Sequence, residues 1–306
     1  MKIAVTGGAG FIGSHVVEKL LTQGIHVTII DDLSSGLLEN IPAHADFVQM
    51  DIRNKELQQL FAMEKFDGVA HLAAQTMVPK SLLDPGLDCD VNIQGTINVL
   101  EACRKAGTKR IVFSSSAAVY GDTDVLPIIE TTSQQPTSFY GLSKLTAEKY
   151  LHLYHCLFGI DYVVLRYANV YGERQGDGGE GGVVSIFSRL IRQDQSLTIF
   201  GDGGQTRDFI YVGDVASANH KALLTENANT IYNISTGLGT SVNDLIAVME
   251  TAADKQVTRC YGAPREGDIY HSRLDCSRAN DHLDWKAVVA LQDGIHRTYQ
   301  SLGGKA

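Results

Sequence analysis

The 306-residue sequence predicts an α/β fold, in which a doubly wound parallel sheet is followed by a smaller C-terminal α/β lobe. In the first half, short runs rich in Val, Ile and Phe alternate with longer amphipathic stretches, a pattern typical of a parallel sheet with helices on both faces. Three of the amphipathic stretches end at a glycine, as a left-handed helix C-cap favours. The polar motifs fall at the ends of the apolar runs, where parallel sheets bind ligands.

The elements follow from these runs in chain order. Apolar runs too short for helices are predicted as strands: Lys2–Thr6, His26–Asp31, Phe47–Asp51, Gly68–Ala74, Arg110–Ser116 and Asp161–Tyr167. Amphipathic stretches are predicted as helices: Gly13–Gln23, Lys55–Phe61, Asp88–Ala106 and Tyr140–Phe158. Gly24, Gly107 and Gly159 follow three of them. Residues 1–167 form the first predicted domain and 168–306 the second lobe, with Thr230–Ser235 rejoining the sheet.

Composition excludes several classes of protein. The net charge of -9 offers no broad basic surface for nucleic acid. The five cysteines are widely spaced and odd in number, which predicts reduced thiols and neither a metal site nor a disulfide framework. We find no apolar run of about 18 residues that would span a membrane and no basic segment before the first strand. We therefore expect a cytoplasmic protein whose ligand is a small molecule.

A glycine-rich turn follows the first predicted strand. Gly7 permits a tight turn, Gly10 allows the backbone to approach a pyrophosphate, and Gly13 allows close packing of the following helix. The N-terminus of that helix offers N–H groups and partial positive charge to phosphates. The position of the glycines between a strand and a helix predicts a dinucleotide site, so residues 1–167 are interpreted as the cofactor domain.

Acidic residues end the second and third predicted strands. Asp31 is placed to bind both ribose hydroxyls of the cofactor, and its charge disfavours the extra phosphate of NADP. Asp51 and Ile52 close the third strand and are placed to meet the adenine. These residues predict NAD as the cofactor.

Tyr140 and Lys144 are four residues apart on a predicted helix, so their side chains share one face. A free tyrosine titrates near 10, and use as a base near pH 7 requires lowering its pKa by about three units, roughly 4 kcal/mol. We expect the Lys144 ammonium and a cationic nicotinamide to lower it. Ser116, at the end of the fifth predicted strand, supplies a hydroxyl that can orient the substrate oxygen.

Taken together, these motifs resemble those of the extended short-chain dehydrogenase/reductase superfamily and, within it, the UDP-glucose 4-epimerases. The resemblance extends over essentially the whole chain. Its segments are Thr6–Ser14, His71–Ala74, Asn92, Phe113–Gly121, Tyr140 with Lys144, Leu165–Gly172, Arg207–Val212 and Arg265–Asp268.

The resemblance implies which residues form the site. Ser116, Tyr140 and Lys144 are expected to be catalytic. Besides Gly7, Gly10, Gly13, Asp31, Asp51 and Ile52, the expected cofactor-binding residues are Phe11, Ile12, Asp32, Leu72, Ala73, Ala74, Gln75, Asn92, Ser114, Tyr140, Lys144 and Tyr167. Those expected to hold the UDP-sugar are Ser116, Tyr140, Asn169, Val183, Arg207, Arg265, Asp268 and Ser272. A homodimer formed through the Asp88–Ala106 and Tyr140–Phe158 helices is also implied, although burial within one subunit explains their amphipathicity equally well.

The implied activity is NAD-dependent epimerisation at C4 of a UDP-hexose, UDP-glucose or UDP-galactose, by reversible hydride transfer through a 4-keto sugar. Ala117 and Ala118 stand where related dehydratases carry an acidic pair, which disfavours elimination of water. Ser272 aligns with the pocket gatekeeper, and its small side chain leaves room for the N-acetyl group of UDP-GlcNAc and UDP-GalNAc. UDP-glucuronate epimerisation, dehydration and a catalytically silent NAD-binding regulator remain alternatives.

One segment keeps two interpretations. Residues 176–182 form a glycine-rich, acidic loop, which is either a plain surface loop or a mobile lid over the site.

Overall fold

The computed structural model describes residues 1–176, 182–264 and 269–302. Its strands are β1 Lys2–Thr6, β2 His26–Asp31, β3 Asp46–Gln49, β4 Gly68–His71, β5 Arg110–Ser116, β6 Asp161–Tyr167, β7 Asn169–Tyr171, β8 Leu197–Phe200, β9 Thr206–Arg207, β10 Phe209–Tyr211, β11 Thr230–Ile234, β12 Thr240–Ser241 and β13 Arg259–Gly262. Seven of them form one sheet in the order β11-β6-β5-β4-β1-β2-β3, and all its neighbours pair in parallel. This confirms the predicted doubly wound fold.

Helices connect the strands. They are α1 Phe11–Thr22, α2 Leu57–Glu64, α3 Val78–Leu83, α4 Pro85–Cys89, α5 Gly95–Ala106, α6 Phe139–Phe158, α7 Val183–Arg192, α8 Val212–Leu224, α9 Val242–Ala253, α10 Ser277–Leu283 and α11 Leu291–Ser301. The glycines predicted to end helices, Gly24, Gly107 and Gly159, all have left-handed backbones. None of the described helices is both long and apolar enough to cross a bilayer.

A hydrophobic core covers each face of the sheet. On one face, Val16, Val17 and Leu20 of α1 pack with Val215 and Ala222 of α8. On the other face, side chains of α2, α5 and α6 pack together: Leu57, Phe61, Val99, Leu100, Ala147 and Leu151. The sheet is therefore buried on both sides, which leaves the ends of its strands as the place for a ligand.

After β6, the chain forms short strand pairs outside the large sheet. β8 pairs with β13, β7 with β10 and β9 with β12. Side chains from α7, α9 and α11 share one core with these strands, among them Phe187, Leu245 and Ile295. Within this part of the chain, the Asn169 N–H donates to the carbonyl of Asp208, the residue after Arg207, at 2.9 Å.

Three predicted strands end earlier than expected. β11 ends at Ile234 rather than Ser235, because Ile234 pairs with Tyr167, the last residue of β6. β4 ends at His71 rather than Ala74, because its partner β1 ends at Thr6, which pairs with His71. β3 ends at Gln49 rather than Asp51, because Gln49 pairs with the last residue of β2. Beyond these points the backbone has no neighbouring strand on that side, so it turns into loops that border the site.

The predicted single helix Asp88–Ala106 is interrupted. The chain forms α4, then a π-helical turn at Asp90–Gln94, and then α5. A π turn accommodates an extra residue per turn and redirects one side chain. Here it points Asn92 inward, where the amide bonds the backbone of Gln75.

Candidate active site

The glycine-rich turn connects β1 to α1 as predicted. The N–H of Gly7 donates to the Ile30 carbonyl at 2.9 Å, and the backbone of Gly7 is left-handed with φ +71°. A Cβ atom on Gly13 would collide with the Gly7 carbonyl oxygen. Within the described chain, no side chain caps the N-terminus of α1. The turn therefore leaves backbone N–H groups facing the space beyond the sheet, where they suit a phosphate.

Asp31 lies against this turn at the end of β2. One carboxylate oxygen accepts the N–H of Ala9 at 3.0 Å, and the other accepts the N–H of Leu33 at 2.9 Å. Burial raises the pKa of Asp31, while these two hydrogen bonds act in the opposite direction. The carboxylate is thus fixed by backbone donors and borders the cavity beside the turn.

Ser116, Tyr140 and Lys144 converge where β5 ends and α6 begins. The N-cap Ser138 accepts the N–H of Gly141 and starts α6 one residue before Tyr140. Tyr140 shares a hydrogen bond with the Ser116 side chain. Lys144 is 4% exposed, and its Nζ donates to the Ser114 carbonyl at 2.9 Å. The helix spacing and the strand end therefore bring the three predicted side chains together.

Burial sets the electrostatics of this cluster in the chain itself. Burial raises the pKa of Tyr140, and the Ser116 hydrogen bond opposes this shift. Burial also lowers the pKa of Lys144 to about 8. The expected lowering of the Tyr140 pKa depends on the Lys144 ammonium together with a cationic nicotinamide, so it stays a prediction; in the chain itself, desolvation of the phenol raises that pKa.

A tyrosine supports the cluster from β6. The Tyr167 hydroxyl lies 2.9 Å from Ser114 Oγ and accepts the Asn219 side-chain amide at 2.8 Å. Burial raises the pKa of Tyr167 to about 12, so it stays a neutral phenol. Tyr167 thus holds the end of β5 without competing as a base.

A single cavity of 560 Å³ joins these groups. Most of the predicted site residues line it: Gly7, Gly10, Phe11, Ile12, Gly13, Asp31, Asp32, Asp51, Ile52, Leu72, Ala73, Ala74, Gln75, Ser114, Ser116, Tyr140, Lys144, Tyr167 and Asn169. The cavity runs from the glycine-rich turn to the Ser116–Tyr140–Lys144 cluster. Gly176 and Gly182, the first and last residues of the glycine-rich loop, also line it.

Other predicted residues lie outside the cavity lining. Asn92 is buried below the wall and bonds Gln75, and Val183 is the first residue of α7. Arg207 donates to the carbonyls of Thr206 and Tyr270. The N–H of Ser272 donates to the Thr206 carbonyl at 3.1 Å, which places Ser272 beside β9. Arg265 and Asp268, and residues 177–181 of the loop, lie outside the described residues.

Sequence reasoning missed some lining residues. Arg53 makes ion pairs with Asp51 and Asp90 at the rim of the cavity, and its position two residues after Asp51, a predicted site residue, could have indicated it. Lys80 of α3 also lines the cavity. A lone lysine in a short amphipathic helix carries no pattern, so its position depends on the tertiary structure.

Comparisons with known proteins agree with this geometry. A sequence model of the NAD dependent epimerase/dehydratase family matches residues 3–235. A putative UDP-glucose 4-epimerase of Methanocaldococcus jannaschii is 48% identical over 96% of each chain.

Solved structures are also similar over the full length. A UDP-glucose 4-epimerase of Thermotoga maritima, solved with UDP-glucose, is 41% identical with a TM-score of 0.96 and covers 99% of each chain. A UDP-glucose 4-epimerase of Thermus thermophilus, solved with NAD, is 39% identical with a TM-score of 0.94 and covers 100% of each chain. The chain therefore belongs to the NAD dependent epimerase/dehydratase family and, within it, to the family of the UDP-glucose 4-epimerases.

Proposed function

We propose that this protein is an NAD-dependent UDP-hexose 4-epimerase that interconverts UDP-glucose and UDP-galactose. The observation that carries the proposal is the common cavity, which places Ser116, Tyr140 and Lys144 at one end and the glycine-rich turn with Asp31 at the other. A site for a dinucleotide and a candidate acid/base group thus face the same space. The full-length similarity to UDP-glucose 4-epimerases supports the same activity.

The residues present fit NAD. A Cβ on Gly13 would fill the space that the turn needs, and the Asp31 carboxylate borders the cavity where a ribose would lie. Its negative charge disfavours the additional phosphate of NADP. The glycine-rich turn and Asp31 would hold NAD, which when bound would supply the hydride acceptor and donor for C4 of the sugar. Because the cycle has no net redox change, the cofactor is expected to stay bound.

The chain supplies the proton transfer. Tyr140 takes the proton of the sugar 4-hydroxyl and later returns it, and Ser116, which shares a hydrogen bond with Tyr140, orients the same oxygen. Burial raises the pKa of Tyr140, so positive charge is needed to favour the phenolate. The ammonium of Lys144 provides part of that charge inside the cavity wall.

The activity test uses purified protein incubated with UDP-galactose without added NAD, followed by chromatography of the products. We expect UDP-glucose to form, and Tyr140→Phe to lose most of the turnover while it keeps its fold. Tyr150→Phe is the matched control, because Tyr150 lies on the same helix and packs against the core. Near-normal turnover of Tyr140→Phe would contradict the role of the phenol.

We propose that the second lobe, within 168–306, holds the UDP-sugar. Asn169 lines the cavity, and its N–H bonds the Asp208 carbonyl next to Arg207. An arginine suits a diphosphate because its donors bind phosphate oxygens in pairs. Residues 1–167 with β11 then form the NAD domain. Val183, Arg265 and Asp268 stay predictions for the same subsite.

A second substrate pair is favoured by Ser272. This residue lies beside β9, and its side chain is small, so the neighbourhood of Arg207 has room for an N-acetyl group. We expect the protein to convert UDP-GalNAc as well as UDP-galactose. The variant Ser272→Tyr should lose activity on UDP-GalNAc and keep activity on UDP-galactose. Absence of N-acetyl activity in the unmodified protein would exclude the broader specificity, and the same assay with UDP-glucuronate tests that alternative.

We also propose a homodimer formed through α6 and the α4–α5 segment. Leu142, Leu153 and Leu157 of α6 recur at helical spacing and are 48%, 51% and 63% exposed. An apolar stripe on one helix face is typical of an interface. Leu153→Asp should convert the dimer to a monomer in light scattering, whereas Leu224→Asp, on the exposed side of α8, should not.

The five cysteines are free in the structure, as expected of a protein in a reducing compartment. We propose that the protein acts in the cytoplasm.

A further inference from the structure

Asp88 is a buried carboxylate next to the active-site helix, and the reaction proposed above does not use it. It lies on α4 and is 1% exposed. One oxygen, Oδ1, accepts the side-chain amides of Gln75 at 2.8 Å and Asn92 at 3.1 Å. The other, Oδ2, is buried and accepts no hydrogen bond from the described part of the chain. A buried oxygen that accepts no hydrogen bond destabilises the folded protein, so its presence requires an explanation.

The π-helical turn after α4 connects Asp88 to the active site. Asn92, at the centre of that turn, donates to Asp88, to the Gln75 carbonyl and to Ser143 Oγ at 3.1 Å. Ser143 directly precedes Lys144 on α6, and Gln75 lines the cavity. The network therefore joins the loop after β4, the π turn and α6. π turns are frequent at functional sites because they redirect a side chain in this way.

Lys144 needs a counter-charge, because a buried ammonium is unstable without one. It forms no ion pair with a described residue, and burial lowers its pKa, while Asp88 and Glu148 raise it. Glu148 is already paired with Arg166 and bonded by Ser115. The amides that bind Asp88 are neutral, so its charge stays uncompensated and acts on the ammonium.

We propose that Asp88 is a positioning residue: its carboxylate keeps Lys144 in the cationic form and, through Asn92 and Gln75, holds the cavity wall against α6. The inference rests on the proposed epimerase function. Because Asp88 is not among the cavity-lining residues, it acts through Lys144 and the wall, and not by contact with substrate.

The other titratable groups around Lys144 and Asp88 do not replace this charge. Tyr140 lies on the same helix face as Lys144, and burial raises the pKa of its phenol, so it supplies no negative charge in its neutral form. His71 on β4 is neutral because burial lowers its pKa to about 3. Asp90, in the π turn, is exposed and paired with Arg53. On α3, Lys80 is exposed to solvent.

The test is the pH profile of kcat for Asp88→Asn with UDP-galactose. The enzyme needs Tyr140 deprotonated and Lys144 protonated, and the Asp88 charge raises the pKa of both groups. Removing that charge lowers both, so the acidic and the alkaline limb should each move to lower pH, by about one unit for a single nearby charge. A purely structural defect reduces kcat without moving either limb.

Two variants complete the design. Asp88→Glu keeps the charge and should leave the limbs in place even if kcat falls. Asp214→Asn is the matched control, because Asp214 is also buried, accepts the N–H groups of Val288 and Val289, and lies outside the cavity lining. Circular dichroism verifies folding, and Asp88→Ser carries the same test if Asp88→Asn does not fold.

The outcomes separate the two proposals. An unmodified protein without epimerase activity would reject the proposed function. An active protein whose limbs stay fixed in Asp88→Asn would overturn the role of Asp88.

Discussion

Replacing Arg166 by methionine would leave Glu148 as a buried, unpaired carboxylate between the sheet and α6. The two side chains are 1% and 3% exposed. Arg166 Nε and Nη2 donate to the two oxygens of Glu148 at 3.0 and 2.6 Å, and Ser115 adds a bond of 2.6 Å. After the substitution the Ser115 hydroxyl is the one described partner that Glu148 retains.

The expected loss is large because a charge would remain without its partner. Breaking one half of a buried ion pair costs about 3–5 kcal/mol, and each kcal/mol lowers the melting temperature of a large domain by roughly 2–4 °C. We therefore expect Arg166→Met to melt about 6–20 °C lower. The double variant Arg166→Met/Glu148→Leu should recover most of the loss, because an apolar pair of similar volume removes the desolvated charge.

The assay is thermal unfolding followed by circular dichroism, with urea unfolding in parallel. The control is Lys221→Met, which breaks an ion pair with Asp284 whose side chains are 40% and 98% exposed, and should cost less than about 1 kcal/mol. A loss below about 1 kcal/mol for Arg166→Met, or a double variant no more stable than the single one, would refute the reasoning.

Two further predictions concern the cofactor turn and the buried histidine. The variant Gly13→Val should purify without NAD, because the valine side chain would collide with the Gly7 carbonyl oxygen. Treatment of the purified protein with acid, followed by measurement of released nucleotide, checks this. Gly239→Ala is the control, because an added Cβ there would lie at ordinary contact distance from Thr206. Burial, and secondly Lys144, lower the pKa of His71 to about 3. The unfolded chain therefore binds more protons below pH 6.5, and stability falls as pH falls. In urea unfolding, the free energy of unfolding of the unmodified protein should fall by about 2–3 kcal/mol more than that of His71→Gln between pH 7 and pH 4. If the difference in stability between the two proteins stays constant over this range, His71 is not held as a neutral imidazole.

Much of the fold could be predicted from local patterns. The strands β1, β2, β5 and β6 have the predicted bounds, and Gly24, Gly107 and Gly159 end helices with left-handed backbones. These features depend on apolar periodicity and on glycine conformation, which are properties of neighbouring residues. The errors are at elements whose ends depend on a partner strand, as in β3 and β4, or on a distant contact, as in the π turn.

The candidate site shows the same division. Tyr140 and Lys144 share a helix face because of their spacing, so the sequence predicts their proximity. The partner of Ser116 and the burial of Lys144 depend on how β5 and α6 pack. For the same reason, the sequence does not reveal that burial raises the pKa of Tyr140, because desolvation is set by the whole surrounding structure.

By itself, the sequence determined the family and the doubly wound sheet through its motifs and apolar runs. It also determined the dinucleotide turn and the shared helix face of Tyr140 and Lys144, since each depends on residues close together in the chain. The tertiary structure alone decided that Asp88 is buried and joined to α6 through Asn92 and Ser143, with one oxygen that has no partner among the described residues, and that Glu148 is paired with Arg166. The physical reason is that burial and charge pairing involve segments far apart in sequence. The desolvation cost and the stabilisation from an ion pair therefore depend on how those segments pack.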